Sequence, residues 1–296
     1  MSGANPRGRR AGAGRPVPRR QFLATGLAGA ALGAAGVAAP ATAARADVAG
    51  APNERMVYEL RTYELRNDLD VARAHEFFAQ HLVPALRRAG AGPVGAFAPD
   101  SGLPLPSVVL LVPYPSLTAL GAAGERLAAD PALRAASDAW EGRGEGRGTP
   151  GPAHGLPYVR YDVAVYRAFP GQPALEVPPA AAGRAPRLFE LRTYEAPSDA
   201  GLRAKVAMFD EAEVRIFRES GFAPVMFGTA IAGARLPHLT YLVGFDDMAA
   251  RGAAWARFGA NPDWQRIRVR PGWTDPETVS VIRSAFLRPT AYSDVR

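Results

Sequence analysis

From residue 56 onward the apolar positions follow two rhythms, and the same succession of rhythms occurs twice. Tyr58 to Leu65 and Phe189 to Ala196 place apolar or aromatic residues at alternate positions, the period of a strand. Val71, His75, Phe78, Leu82 and Leu86 then fall at helical spacing, and Gly90 is a suitable C-terminal glycine for that helix. Leu202, Val206, Phe209 and Ile216 make the matching helix, ending at Gly221. Short β-rich runs follow at 94–98 and 108–112, and again at 225–230 and 239–245. Ser116 and Asp247 hold equivalent positions and are natural N-caps for second helices, of which Met248, Trp255 and Phe258 mark one apolar face. A last strand is expected within 158–169 and within 278–286. Each half therefore reads βαββαβ, the ferredoxin-like split order.

The halves are copies. Tyr58-Glu59-Leu60-Arg61-Thr62-Tyr63-Glu64 returns as Phe189-Glu190-Leu191-Arg192-Thr193-Tyr194-Glu195, six of seven residues identical, at an offset of 131. The offset persists through Phe78/Phe209, Gly90/Gly221, Leu105-Pro106/Leu236-Pro237 and Pro131/Pro262, a register chance would not keep. At the last strand, Val163-Ala164-Val165-Tyr166-Arg167 resembles Val279-Ser280-Val281-Ile282-Arg283 at an offset of 116, which implies 15 extra residues in the first copy. The Gly-rich stretch near 141–151 supplies them, as a solvated loop. The expected layout is an N-terminal segment 1–46, a linker 47–55, repeats 56–170 and 187–292, and a linker 171–186 between them.

A βαββαβ unit covers one sheet face with its helices and leaves the other to be covered. Two copies can close those faces on each other, so the fold class is α+β, a pseudo-symmetric barrel of two ferredoxin-like repeats. Pairing within one chain or between chains would serve equally.

Alternate side chains of a strand share a face. Tyr58, Leu60 and Thr62 form one set, expected under the helices. Glu59, Arg61 and Tyr63 form the other, with Glu190, Arg192 and Tyr194 as counterparts, expected to line the barrel. Two guanidinium forks there could hold a small anionic ligand. The competing role is a buried structural ion-pair network, and repetition favours it, because a catalytic group seldom needs to appear in both halves. Residues that differ between the copies are better candidates for chemistry. None of His75, His81, His154 and His238 has a histidine at its partner position. His75 lies on an apolar helix stripe and reads as a core residue, His154 lies by the insertion, and His238 opens a strand and could face the barrel.

Composition removes several classes. The net charge of +7 is misleading, because residues 1–46 contain seven arginines and no acid. Removing those seven from 35 basic residues leaves 28, against 28 acidic ones, so the folded part has no general attraction for nucleic acid. The chain has no cysteine, which excludes disulfides and thiolate ligands. No carboxylate–histidine cluster has metal spacing, and there is no phosphate-binding glycine loop in a strand–helix setting or nucleophile elbow. At the N-terminus, Arg19-Arg20-Gln21-Phe22-Leu23 precedes a modestly apolar Ala/Gly run and small-residue cleavage sites after Ala43 or Ala46. This resembles a twin-arginine export signal and predicts an extracytoplasmic protein with no stable membrane insertion after cleavage.

The ELRTYE strands, the run Leu239-Thr240-Tyr241-Leu242-Val243-Gly244-Phe245-Asp246-Asp247, the helix with Arg251, Trp255 and Phe258, and the tail Ile282-Arg283-Ser284-Ala285-Phe286-Leu287-Arg288-Pro289-Thr290 resemble the NIPSNAP family. The resemblance covers nearly all of 56–292 and is fuller in the second copy. It implies the dimeric α+β barrel superfamily, with monooxygenase and haem-handling relatives, and with it self-association. It supplies no settled reaction. Three readings stay open: a ligand-binding or structural barrel, a cofactor-independent monooxygenase-like enzyme, and a haem-dependent one. No cofactor is indicated by the residues themselves, and haem is not excluded.

Overall fold

A computed structural model describes residues 55–66, 69–141, 158–179 and 187–296. The export-signal segment, nearly all of the first linker, most of the Gly-rich insertion, His154 and residues 180–186 lie outside the described residues.

The first copy runs β1 (Val57–Leu65), α1 (Leu69–Phe77), α2 (Val83–Arg88), β2 (Gly95–Ser101), β3 (Ser107–Tyr114), α3 (Leu117–Ala129), α4 (Pro131–Trp140) and β4 (Tyr158–Ala168). The second runs β5 (Leu188–Glu195), α5 (Asp199–Met208), α6 (Val214–Glu219), β6 (Ala223–Ala232), β7 (His238–Phe245), α7 (Met248–Ala260), α8 (Pro262–Ile267), α9 (Asp275–Thr278) and β8 (Val281–Pro289). A π-helical stretch joins α1 to α2 (Phe78–Leu82) and α5 to α6 (Phe209–Glu213), again 131 residues apart. Ser116 accepts the Ala119 N–H and Asp247 accepts the Ala250 N–H, so both expected caps form.

All strand pairings are antiparallel, and the sheet closes in the order β1-β3-β2-β8-β5-β7-β6-β4. The two copies meet at β2–β8 and β4–β6, so the barrel closes within one chain. Closure leaves three apolar layers. Phe78, Leu82 and Leu86 pack with Val108, Leu110 and Val112 outside the first half, and Phe209, Phe217 and Phe258 pack with Leu239, Tyr241 and Val243 outside the second. Tyr58, Phe97, Val109, Leu111, Phe189, Leu191 and Leu242 fill the barrel interior.

Two expectations are corrected here. The strand faces are inverted: Tyr58 and Leu60 point into the barrel, whereas Tyr63 and Tyr194 belong to the helix-side layers. Both faces of β1 and β5 are covered, so alternation marks two faces without telling inside from outside. The cost of burying charge decides between them. An eight-stranded barrel interior is narrow and filled by side chains, whereas the helix side brings partners for the carboxylates: Arg251 and Trp255 of α7 both bond Glu190.

The second correction concerns the last strands. Thr62 pairs with Asp162, and Thr193 with Arg283, so β4 and β8 correspond at an offset of 121 and not 116. The first copy is thus longer by ten residues, 131 less 121. The Val-x-Val-x-Arg similarity misaligned the strands by five positions, an odd number that also exchanges their faces.

Candidate functional site

The barrel is not solid. A cavity of about 480 Å³ opens at the end where β1 and β5 finish. Inward alternate positions supply Leu60, Thr62 and Glu64 from β1 and Leu191, Thr193 and Glu195 from β5. β4 adds Asp162, Ala164 and Tyr166, β7 adds His238, β8 adds Arg283 and Ala285, and the turns before β3 and β7 add Leu103 and Arg235. The cavity exists because β4 and β8 outrun their neighbours. The β4–β6 pairing reaches only Val165, and the β2–β8 pairing only Phe286, leaving the first halves of β4 and β8 joined on one side. The turn after β2 covers the β8 gap with Gly102 at φ +84°, where a Cβ would run into the Ser284 carbonyl oxygen.

The two sides of the cavity share a backbone plan but not a chemistry. Where β8, β2 and β3 meet, Leu287, Phe97, Val109 and Ser107 occupy the corresponding positions, and the Phe97 ring packs against Phe189 with centroids 5.2 Å apart. Where β4, β6 and β7 meet, those positions hold Tyr166, Gly228, Thr240 and His238. Gly228 is required for this: a Cβ there would lie 2.7 Å from the Tyr166 Cβ. With no side chain on Gly228, the Tyr166 ring crosses β6 and its hydroxyl comes within 3.2 Å of His238 Nε2 and 3.3 Å of Thr240 Oγ1. Thr240 in turn lies 2.8 Å from Thr193 Oγ1, and His238 Nδ1 lies 3.1 Å from the Arg235 carbonyl. Arg235 sits at φ +59°, a left-handed backbone that belongs to the turn before β7.

His238 is 3% exposed. Burial pushes its pKa below the ordinary range, helped by the Arg235 charge, while the Arg235 carbonyl and Glu195 push the other way. Burial raises the Tyr166 phenol, with the Thr240 bond opposing. Both groups are therefore neutral near pH 7. At the rim, Arg283 pairs with Glu195 at 2.6 Å and Arg160 with Glu64 at 3.4 Å. Deeper in, Leu60, Leu191, Ala164 and Ala285 make an apolar wall.

Of the seven residues singled out in the sequence, only His238 lines this cavity. Arg61 lies 2.9 Å from Glu59, on the helix side. Tyr63 packs on Phe78 and Tyr161 with centroids 4.9 and 5.1 Å away. Glu190 accepts bonds from Arg251 at 2.8 and 2.9 Å, Trp255 at 3.1 Å, Arg192 at 3.0 Å and Ser284 at 2.8 Å. Burial alone would raise its pKa, but the bonds from Arg251, Trp255 and Ser284 outweigh that and hold it at about 2. Tyr194 bonds the Tyr241 hydroxyl at 2.9 Å, and Arg192 lies over Trp255. These contacts tie the sheet to its helices. His75 is half-buried and satisfied by the Tyr292 hydroxyl at 2.8 Å. Sequence reasoning missed Tyr166, Thr193, Thr240 and Arg235. The difference between the copies marks Thr240 against Val109 at the offset of 131, whereas it marks Tyr166 against Leu287 only with the correct offset for the last strands.

Among the described residues His238 is the only histidine lining the cavity, and both its ring nitrogens are engaged, so it does not fit an axial haem ligand without giving up a bond. Among the described residues no group of three or more His, Asp and Glu side chains gathers as a metal site, and no helix is long and apolar enough to cross a membrane.

Fold and cavity together define a duplicated α+β barrel with an asymmetric pocket. The NIPSNAP family pattern matches residues 58–142 and 189–294, one match per copy, and the chain belongs to the NIPSNAP family. An uncharacterized NIPSNAP-like domain protein from Burkholderia xenovorans is 21% identical over 36% of this chain and 88% of its own, with a TM-score of 0.32. A NIPSNAP family protein of unknown function from Agrobacterium tumefaciens is 17% identical over 37% of this chain and 94% of its own, with a TM-score of 0.33. An anthrone oxidase-like protein is 11% identical over 80% of this chain and 92% of its own, with a TM-score of 0.42. No curated protein matches in sequence.

Proposed function

We propose that this protein is an exported, small-molecule-binding α+β barrel whose ligand occupies the cavity at the end of β1 and β5. The observation that carries this reading is the cavity itself: about 480 Å³, with an apolar wall and a few convergent polar groups on one side. That size and lining are those of small-molecule sites. A ligand anion belongs at the rim with Arg235, and with Arg283 beside its partner Glu195, because Arg61 and Arg192 lie on the helix side, away from the cavity. Export rests on the paired arginines Arg19-Arg20 and the small-residue sites that follow.

Filling the cavity tests the reading. Leu191→Trp projects an indole into the apolar wall. Compounds that raise the melting temperature of the wild type should lose that effect in the variant while its circular dichroism stays native. Binding that survives Leu191→Trp would remove the ligand from the cavity. Export is checked separately, by cytoplasmic retention of the chain after Arg19→Lys with Arg20→Lys.

The enzyme reading retains one specific support. A buried neutral imidazole that lines the cavity and bonds a phenol hydroxyl is suited to proton transfer. Turnover of a bound compound, lost in His238→Gln with binding retained, would establish it.

A further inference from the structure

The hydrogen bonds beside the cavity have a direction, and one atom sets it. The Arg235 carbonyl oxygen can only accept, so the proton of neutral His238 resides on Nδ1. Nε2 then has only a lone pair to offer and takes the single hydroxyl proton of Tyr166. The Tyr166 oxygen, its own proton spent, accepts from Thr240. Thr240 is fully buried, its proton is spent on Tyr166, and its oxygen therefore accepts from Thr193. Each hydroxyl proton points toward the histidine. Thr193, which lines the cavity, is left with lone pairs alone for a ligand.

We propose that the cavity selects ligands that carry a hydrogen-bond donor, an alcohol, phenol or N–H on an apolar body, docked against Thr193 Oγ1. The inference rests on the cavity being a binding site and adds the chemical class of what binds. The apolar wall of Leu60, Leu191 and Ala285 takes the body. A ligand offering only an acceptor at this point would set two lone pairs against each other, losing a bond and displacing the water that could otherwise donate to Thr193. On the other side of the barrel Thr62 faces Val109 where Thr193 faces Thr240, so no hydroxyl chain orients its proton and the selection is confined to Thr193.

The test uses the full chain at pH 8 and two probes of one shape, 2-naphthol and 2-methoxynaphthalene, titrated by calorimetry. Wild type should bind 2-naphthol about tenfold more tightly, equivalent to about 1.4 kcal/mol. Thr193→Val, which keeps the shape and removes the oxygen, should reduce the ratio to within about twofold. Tyr166→Phe should do the same by a different route: Thr240 regains its proton, Thr193 can turn outward, and the methoxy compound is accepted. Equal binding of both probes, abolished by Leu191→Trp, would overturn the donor selection and leave the binding cavity standing. Binding of both probes that is insensitive to Leu191→Trp, or no binding of either at millimolar concentration, would overturn the proposal. In those cases, compounds displaced by Leu191→Trp decide the cavity independently.

Discussion

Replacing Glu190 by glutamine tests whether the most visible shared motif is structural. The side chain is fully buried between β5 and α7 and accepts five bonds, two of them from Arg251. The carboxyl is held at about 2 against an ordinary value of 4.5. At 1.36 kcal/mol per pH unit, that difference corresponds to about 3 kcal/mol of stabilisation by the ionised form. Glutamine keeps the volume but removes the charge facing Arg192 and Arg251, and it turns an N–H₂ toward groups that only donate. Breaking a buried pair in this way costs about 3–5 kcal/mol. Because the folded pKa is depressed, the stabilisation is complete above the unfolded value near 4.5 and is lost as pH falls toward 2. Urea unfolding of both proteins should therefore show Glu190→Gln less stable by about 3 kcal/mol at pH 7, with the gap narrowing between pH 4.5 and 2.5. A gap below about 1 kcal/mol at pH 7 would refute the argument. So would a gap that stays constant down to pH 2.5, because the network would then not depend on ionised Glu190.

Gly228→Ala should displace Tyr166 and cost about 1–3 kcal/mol, since the new Cβ would meet the Tyr166 Cβ at 2.7 Å; Tyr166→Phe should not relieve the loss, because the collision is at the Cβ, and an unchanged melting temperature would contradict this. Nitrogen-detected NMR of His238 should show the Nδ1–H tautomer at pH 8 and titration below the ordinary 6.5; an Nε2–H signal would reverse the direction assigned to the hydroxyl chain. Gly102→Ala should destabilise the protein by about 1–3 kcal/mol, because φ +84° and the Ser284 carbonyl both oppose a side chain there; thermal unfolding at the wild-type midpoint would show that the turn can yield.

The opposite fates of the ELRTYE strands and of the last strands show what could be read in advance. The first are visible because six identical residues recur at one spacing, and repetition by itself favours a structural role for them. Their direction was read wrongly because Glu190 meets its partners 61 and 65 residues further along the chain, at Arg251 and Trp255. The Tyr166 strand was misaligned because a short Val-x-Val-x-Arg similarity outweighed a pairing register that only closure reveals. His238 is unrepeated, and its place at the start of a strand allows it to face the barrel. Its partners could not be named, since Tyr166 reaches it across β6 from 72 positions away.

The sequence by itself determined the duplication, the βαββαβ order of each copy, the Ser116 and Asp247 caps and the need for a covered sheet face, because these follow from local periodicity and short-range bonding. The tertiary structure decided that the barrel closes within one chain, which strand face turns inward, and which side of the interior is polar. Those outcomes depend on where buried charges find partners and on whether one position carries a ring or no side chain at all, Phe97 on one side and Gly228 on the other. Such choices are energetic comparisons between distant segments, and they exist only once the segments meet.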